Sequence, residues 1–437
     1  MSLILAIYKQ KGGFIHAIRF FPPNRHHRAG PIGLAAAAQL VVEGQSFLLF
    51  ERGPSIAHQV KQWEHVRMFS TWQYNISDAA RHLLELTDWS APTDDAVPTG
   101  TELINQYLAP LAALPEIAPF LHFQHEILSI SRAGLDKMTN ASREVTPFEL
   151  VMDTPNGRKH ILARAVIDAS GVLRRPNPAI SSGHRVEIEQ NLPVRYSIVD
   201  GKRDTVVFAN QSVAVIGSGH SALNSLLELV SIKAHHPETE IHWILRKSDP
   251  VQAYGGEDKD ALEGRGALGS RIRQLVEGDQ IRIHSNFKTQ SIESKGQSFG
   301  ITAQDGRSLH HIDQLIVNAG SRPDFSFLEE VRLDIDPVTE SSRVLAPLID
   351  PNFHSCGTVR PHGEAELRHP DHGLYLVGAK SYGRAPTFLL ATGYEQVRSI
   401  VAFLVGDEAR AKQINLSLPE TGVCNVSLPQ SSTSCCS

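Results

Sequence analysis

Cysteine is scarce in this chain: Cys356, Cys424, Cys435 and Cys436 are the four among 437 residues, and three of them fall in the last fourteen positions. That distribution excludes a disulfide framework and points to a cytoplasmic setting. Charge of one sign is not in excess either. Forty-two Lys and Arg against 47 Asp and Glu leave a formal net charge of -5, with no basic surplus for nucleic acid. Apolar runs are strand-sized, far below the roughly 20 residues that span a bilayer, so no membrane association is expected. Leu3-Ile4-Leu5-Ala6-Ile7 has its charges after it and no small-residue cleavage site, unlike a signal peptide. What remains, 41% hydrophobic and 20% charged, is an ordinary globular composition with length for two or three cored domains.

The most legible stretch lies mid-chain. Val213-Ala214-Val215-Ile216 is an unbroken apolar run suited to a buried parallel strand, and Leu223 to Val230 carries apolar residues at helical spacing. Between them stands Gly217-Ser218-Gly219-His220-Ser221-Ala222, the G-x-G-x-x-G/A turn of a dinucleotide unit. Gly217 permits the tight turn, Gly219 lets a pyrophosphate approach the backbone, and Ala222 keeps helix close to strand, with His220 and Ser221 at the helix N-terminus. The next strand, Ile241-His242-Trp243-Ile244-Leu245, ends in Arg246-Lys247. A carboxylate there would repel a 2'-phosphate and a cation pair attracts one, which favours NADPH over NADH.

A second, imperfect unit precedes it. Gly30-Pro31-Ile32-Gly33 opens an alanine-rich helix, and Phe47-Leu48-Leu49-Phe50-Glu51 is a strand ending in an acid 21 residues after Gly30, where a ribose would be bound. Arg28 stands where the first glycine belongs, and residues 21–27, with two prolines, cannot form a central strand. Either Leu3 to Tyr8 supplies that strand across a loop, or the fold lacks it, or a displaced start or junction precedes Ala29; the last is the expectation. Gly30 and Gly33 could also merely open a helix, but the spaced acid favours a nucleotide.

Trp63-Glu64-His65-Val66-Arg67-Met68-Phe69-Ser70 interleaves aromatic, His and Arg side chains, which suits a surface over a flat ring system; by composition alone a half-buried strand is the rival. Val166-Ile167-Asp168-Ala169-Ser170-Gly171 and Leu315-Ile316-Val317-Asn318-Ala319-Gly320 share one design, a strand ending in small residues, and read as paired crossings that bracket an inserted domain. A last buried strand ends at Gly378, and a helix over 387–404 would begin at Thr387, aiming backbone donors at an electron-rich ring. The 21 histidines show no ligand spacing, and no firm metal site follows. The terminal segment, rich in Ser, Thr and Pro, reads as a flexible tail. Cys435-Cys436 there is a candidate metalloid-binding or redox pair, with an accidental pair as the rival reading.

Two dinucleotide units, the second inserted between crossings of the first, resemble the FAD-dependent, NADPH-oxidising flavin-containing monooxygenase-like family, and more closely the flavoproteins found with arsenic-resistance genes. Gly30 to Leu34, Trp63 to Ser70, Gly217 to Ala222 and Lys380-Ser381-Tyr382-Gly383-Arg384-Ala385-Pro386-Thr387-Phe388-Leu389 carry the resemblance. It implies an α/β fold of two Rossmann-like domains with the NADPH domain inserted into the FAD domain. The expected boundaries are FAD domain 1–175 (1–28 atypical), NADPH domain 176–318, FAD return 319–410 and tail 411–437. It further implies FAD at Gly30, Gly33 and Glu51, with Trp63, Gly171, Gly320, Gly378 and Thr387 in the cofactor neighbourhood and His65 and Arg67 shaping the flavin site. NADPH would occupy the second unit.

Three departures stand out: Arg28, Ala379-Lys380 where many relatives carry an Asp for the ribitol, and the absent Phe, Gly and His fingerprint between the units. No C-x-x-C or C-x-x-x-x-C lies beside either turn, which excludes a dithiol centre of the thioredoxin-reductase type. The expected activity is transfer of hydride from NADPH to FAD and then to oxygen and a small-molecule substrate. The alternatives are a flavoprotein reductase or metalloid-handling protein using the cysteine pair, and a non-catalytic nucleotide-binding protein. A homodimer stays open.

Overall fold

The computed structural model describes residues 4–7, 30–185, 194–255, 257, 263–296, 298–353, 359–385 and 388–416. They form two compact units. The first draws its described residues from Met1–Asn177, Gly320–Ala346 and Arg360–Leu418, and the second from Pro178–Ala319 and Pro347–Val359.

The first unit opens with eight strands: β1 (Ile4–Ile7), β2 (Phe47–Glu51), β3 (Leu121–Phe123), β4 (Glu126–Arg132), β5 (Phe148–Thr154), β6 (Gly157–Ala163), β7 (Ala165–Asp168) and β8 (Arg175–Pro176). Helix α1 (Pro31–Val42) joins the first two; Pro31 at its first position needs no hydrogen-bond partner. Its residues Leu34 to Ala38 are essentially unexposed, as an apolar helix inside a domain must be. Strands β4, β5 and β6 form an antiparallel meander. Gly157, at φ +93°, lies at the tight turn between β5 and β6, where a β-carbon would strain the backbone.

The second unit carries β9 (Ser212–Ile216), β10 (Glu240–Ile244), β11 (Arg282–His284), β12 (Thr289–Lys295), β13 (Ser298–Ala303), β14 (Ser308–Ile312) and β15 (Gln314–Val317), with helices α2 (His220–Lys233) and α3 (Glu263–Glu277). Its parallel sheet runs β11-β10-β9-β15, and β12-β13-β14 is again an antiparallel meander. Val213, Val215, Leu226, Leu229, Ile241, Trp243 and Ile316 meet in the core between this sheet and α2. Their area removed from water stabilises the layer at about 25 cal/mol per Å² of apolar surface. Each unit therefore repeats one plan, in which a meander feeds the next strand of the parallel-type sheet, β7 in one and β15 in the other.

The chain returns to the first unit through β16 (Ser321–Arg322), which pairs antiparallel with β8, and ends there with β17 (Leu374–Leu376) and helix α4 (Leu390–Leu404), packed against α1. The first unit's sheet has the order β17-β7-β1-β2-β3. The fold is α/β, with two Rossmann-like units.

Of the alternatives for the first strand, the structure takes up the segment within Leu3 to Tyr8, but reversed. Ile4–Ile7 fills the central slot between β2 and β7, yet it runs antiparallel to both, with Ile7 opposite Phe47 and Ala165. The slot accepts it because four small or apolar residues satisfy the ladder in either direction. A reversed strand releases the chain at the end of the sheet opposite Glu51 and Asp168, whereas the first strand of a dinucleotide unit ordinarily leads straight into its glycine turn. Arg28 lies outside the described residues. Two smaller corrections concern local structure. The segment Val60–Trp63 is a 3-10 turn, followed by bends and one bridge from Arg67 to Thr99, so it is no strand. The helix expected over 387–404 begins at Leu390 because Leu389 is extended (φ -111°, ψ 149°).

Candidate nucleotide-binding sites

In the second unit, strand, turn and helix are contiguous. Gly217 adopts φ +139°, and a β-carbon there would lie 2.2 Å from the Asn318 carbonyl oxygen, so no other residue fits. Gly219 caps α2 with an extended backbone, and a β-carbon on it would meet nothing within 4 Å. Gly217 is thus required by the protein's own packing, whereas the space over Gly219 is left for something else. Ala222 is fully buried beneath the helix. The amide groups of Ser218, Gly219 and Ser221 donate no hydrogen bond among the described residues, and they stand at the N-terminus of a 14-residue helix. Unsatisfied donors and a positive helix end together suit an anion.

Three side chains that the sequence did not single out brace this turn. The Trp243 indole donates to the Gly217 carbonyl oxygen (2.7 Å), the Ser225 hydroxyl donates to Asn318 Oδ1 (2.7 Å), and Asn318 Nδ2 donates to the Tyr196 carbonyl oxygen (3.1 Å). Beyond β10, Arg246 is exposed and makes no hydrogen bond or ion pair among the described residues. Lys247 differs: its ammonium donates to the Gln252 carbonyl oxygen (2.7 Å). Of the expected cation pair, Arg246 is the one whose charge is not already engaged.

In the first unit, β2 delivers Glu51 to the sheet end with no exposed surface, and its Oε1 accepts the Gly53 amide (2.7 Å). Gly30 caps α1 in extended conformation (φ -79°, ψ 166°), and Gly33 is buried one turn inside. The loop after Glu51 contains Ser55 Oγ and Gln59 Oε1, both buried and without a hydrogen-bond partner among the described residues. A buried hydroxyl and amide oxygen left unpaired cost about 1–3 kcal/mol each, and a polyhydroxylated ligand beside Glu51 would satisfy them. These groups fit a dinucleotide in the first unit.

The other expected residues are distributed as follows. Gly171 (φ +68°) has open space around its Cα, and Gly320 (φ +84°) faces Asn177 Nδ2. Gly378 (φ +67°) faces Ile32, and its amide donates to Gln396 Oε1 (2.8 Å), so that donor is already used. The Trp63 ring lies against Gly100, where a β-carbon would come within 3.1 Å of it. Arg67 donates to the Val97 carbonyl oxygen (2.6 Å), and His65 stands two residues away, half-buried. Thr387, Cys435 and Cys436 lie outside the described residues, which contain no group of three or more His, Cys, Asp or Glu arranged for a metal ion.

Lys380, which the sequence offers both within the resembling stretch and as a departure, is completely buried. Its ammonium donates to Asp168 Oδ2 (2.6 Å), Ser170 Oγ (3.1 Å) and the Asp324 carbonyl oxygen (2.7 Å), and it lies 4.4 Å from the centroid of the Phe327 ring. Nothing local in the sequence signals this, because Asp168 lies 212 positions away.

A family model of pyridine nucleotide-disulphide oxidoreductases matches residues 29–347. The chain belongs to this family. It is an oxidoreductase, and FAD and NADPH are the cofactors that fit. None of the curated proteins compared with it matches. Among solved structures, the bacillithiol disulfide reductase from Bacillus cereus is similar at 17% identity and a TM-score of 0.61, covering 88% of this chain and 97% of its own. The FAD-bound cadaverine monooxygenase DfoA from Erwinia amylovora is 13% identical with a TM-score of 0.59, over 90% and 96%. The ornithine N-hydroxylase of a Kutzneria species is 16% identical with a TM-score of 0.54, over 89% and 99%. At these identities the likeness is one of fold. No helix among the described residues is long and apolar enough to cross a membrane.

Proposed function

We propose that this oxidoreductase is an NADPH-dependent FAD flavoprotein of the monooxygenase-like type, acting on a small molecule or a metalloid in the cytoplasm. The observation that carries the reading is the contrast between two equivalent strand ends: β2 finishes on the buried carboxylate of Glu51, and β10 leads to the uncommitted cation of Arg246. A carboxylate suits a free ribose diol, as in FAD, and a cation suits the 2'-phosphate of NADPH.

In this reading Gly30, Gly33, Glu51, Ser55 and Gln59 hold the flavin nucleotide, and Gly217, Ser218, Gly219, Ser221 and Arg246 hold the nicotinamide nucleotide. NADPH supplies a hydride and the flavin passes its electrons onward. The protein's own contribution is to place donors at the phosphates, present Arg246 to the 2'-phosphate and keep Glu51 out of water.

Oxygen is favoured over relay through an internal dithiol because neither C-x-x-C nor C-x-x-x-x-C lies beside either glycine turn. A second reading rests on Cys435-Cys436, adjacent thiols that could present a metalloid, in line with the resemblance to flavoproteins found with arsenic-resistance genes. Oxygen uptake during NADPH oxidation separates the two. Monooxygenase-like chemistry consumes oxygen, and a substrate lowers the share released as peroxide. The thiol reading predicts NADPH oxidation driven by arsenate (reduced to arsenite) or by a disulfide (reduced to two thiols) under argon, lost when both cysteines are replaced by serine. Size-exclusion chromatography with light scattering tests the homodimer.

A further inference from the structure

We infer that Trp243 is a positioning residue for the nucleotide turn: its indole fixes the direction of the Gly217–Ser218 peptide and so aims the Ser218 amide at the phosphates. The inference rests on the reading of the second unit as the NADPH unit.

Trp243 sits on β10, beside β9, in register with Val215 and without exposed surface. Its Nε1–H has one acceptor, the Gly217 carbonyl oxygen at 2.7 Å. A trans peptide is planar, with its C=O and the following N–H pointing in opposite directions. Drawing the Gly217 oxygen toward the indole therefore turns the Ser218 N–H away from it. That amide makes no hydrogen bond among the described residues, and it stands beside Gly219, where the space is open.

The constraint is needed because glycine flanks the peptide. A flip of this peptide turns ψ of Gly217 and φ of Ser218; Gly217 has no β-carbon to oppose it, which leaves Ser218 as the one backbone restraint. The Gly217 oxygen, two residues before the cap, is taken by a side chain from the neighbouring strand, and the Ser221 amide stays unbonded, as first-turn amides of a helix do. A flipped peptide would present a carbonyl oxygen to a pyrophosphate where an amide is required, exchanging attraction for repulsion. Ser225 and Asn318 fix the other side of the turn: Asn318 Oδ1 accepts from Ser225, and the Asn318 backbone closes against Gly217.

The test is equilibrium binding of NADP+ to the full chain, measured by calorimetry, for the parent protein and for Trp243→Phe, which keeps an aromatic ring and removes the N–H. The expected result is a Kd about tenfold higher for the variant, with far-UV circular dichroism unchanged. An equal Kd overturns the role of Trp243. Failure of the parent chain to bind NADP+ overturns instead the reading of the second unit. Should Trp243→Phe not fold, selective 15N-tryptophan and 15N-serine labelling of the parent chain decides. The Trp243 indole should exchange slowly with and without NADP+, and the Ser218 amide should become protected only when NADP+ is bound. Rapid indole exchange, or a Ser218 amide indifferent to NADP+, contradicts the inference.

Discussion

The ammonium of Lys380 lies 2.6 Å from Oδ2 of Asp168, and neither side chain has any exposed surface. A lysine so placed is tolerated only because each of its donors has an acceptor: Asp168, Ser170 Oγ and the Asp324 carbonyl oxygen. The ion pair ties the end of β7 to the turn after β17 and to the segment after β16, all within the first unit. Removing one partner strands a charge. Lys380→Met should therefore destabilise the protein by about 3–5 kcal/mol in denaturant titration, and adding Asp168→Leu should recover part of that loss. A double variant as unstable as the sum of two independent losses would show that the pair does not act as a unit.

Gly217 and Gly219 should respond oppositely to the same change. Gly217→Ala places a methyl against the Asn318 carbonyl oxygen at a φ that side chains avoid, so the second unit should lose stability by several degrees in Tm. Gly219→Ala puts its methyl in open space, so Tm should stay near the parent value while NADP+ binding weakens by about tenfold, roughly 1.4 kcal/mol. Thermal melts with and without NADP+ distinguish the two.

In the proposed reading, Arg246 carries the choice of nicotinamide nucleotide. Arg246→Ala should raise KM for NADPH by about tenfold or more, the loss of one charge-assisted contact, and leave KM for NADH nearly unchanged. Parallel kinetics with both nucleotides check this. The matching change at Lys247 should have a smaller effect, since its ammonium is bonded to Gln252.

Much of this was legible before the structure because the information is local. The Ser212–Ile216 strand, the glycine turn and the helix from His220 follow one another without interruption, and each is specified by its own residues. The acid at Glu51 was found by spacing from Gly30. The reversed Ile4–Ile7 strand was not, because an apolar tetrapeptide carries no mark of direction. Lys380 and Asp168, or Trp243 and Gly217, meet through the fold alone, and hydrophobic periodicity says nothing about which buried donor finds which acceptor. The helix Glu263–Glu277 is masked in the sequence by its three glycines, whose face is completed by packing: Gly269 lies against the Tyr254 carbonyl oxygen.

Acid should destabilise the chain through buried imidazoles. Burial, with the His125 and Lys159 charges adding to it, pushes His122 down to about 4, and burial together with His242 and nearby arginines does the same to His284. An unfolded imidazole titrates near about 6.5. Below that pH the unfolded chain takes up protons that the folded chain does not, so the stability present above pH 6.5 drains away as pH falls toward 4. His122 stacks on Phe50 at 5.4 Å, and its Nε2 has no partner among the described residues. His122→Phe should accordingly leave Tm near its parent value at pH 8 and raise it at pH 5. A variant with the same acid slope as the parent would remove His122 from the account.

The most direct measurement is the visible spectrum of the purified chain under argon, before and after NADPH is added. The account predicts a bound-flavin band near about 450 nm that NADPH bleaches. A chain that carries no flavin and takes up none when FAD is supplied, or a flavin band that NADPH leaves intact, would contradict it.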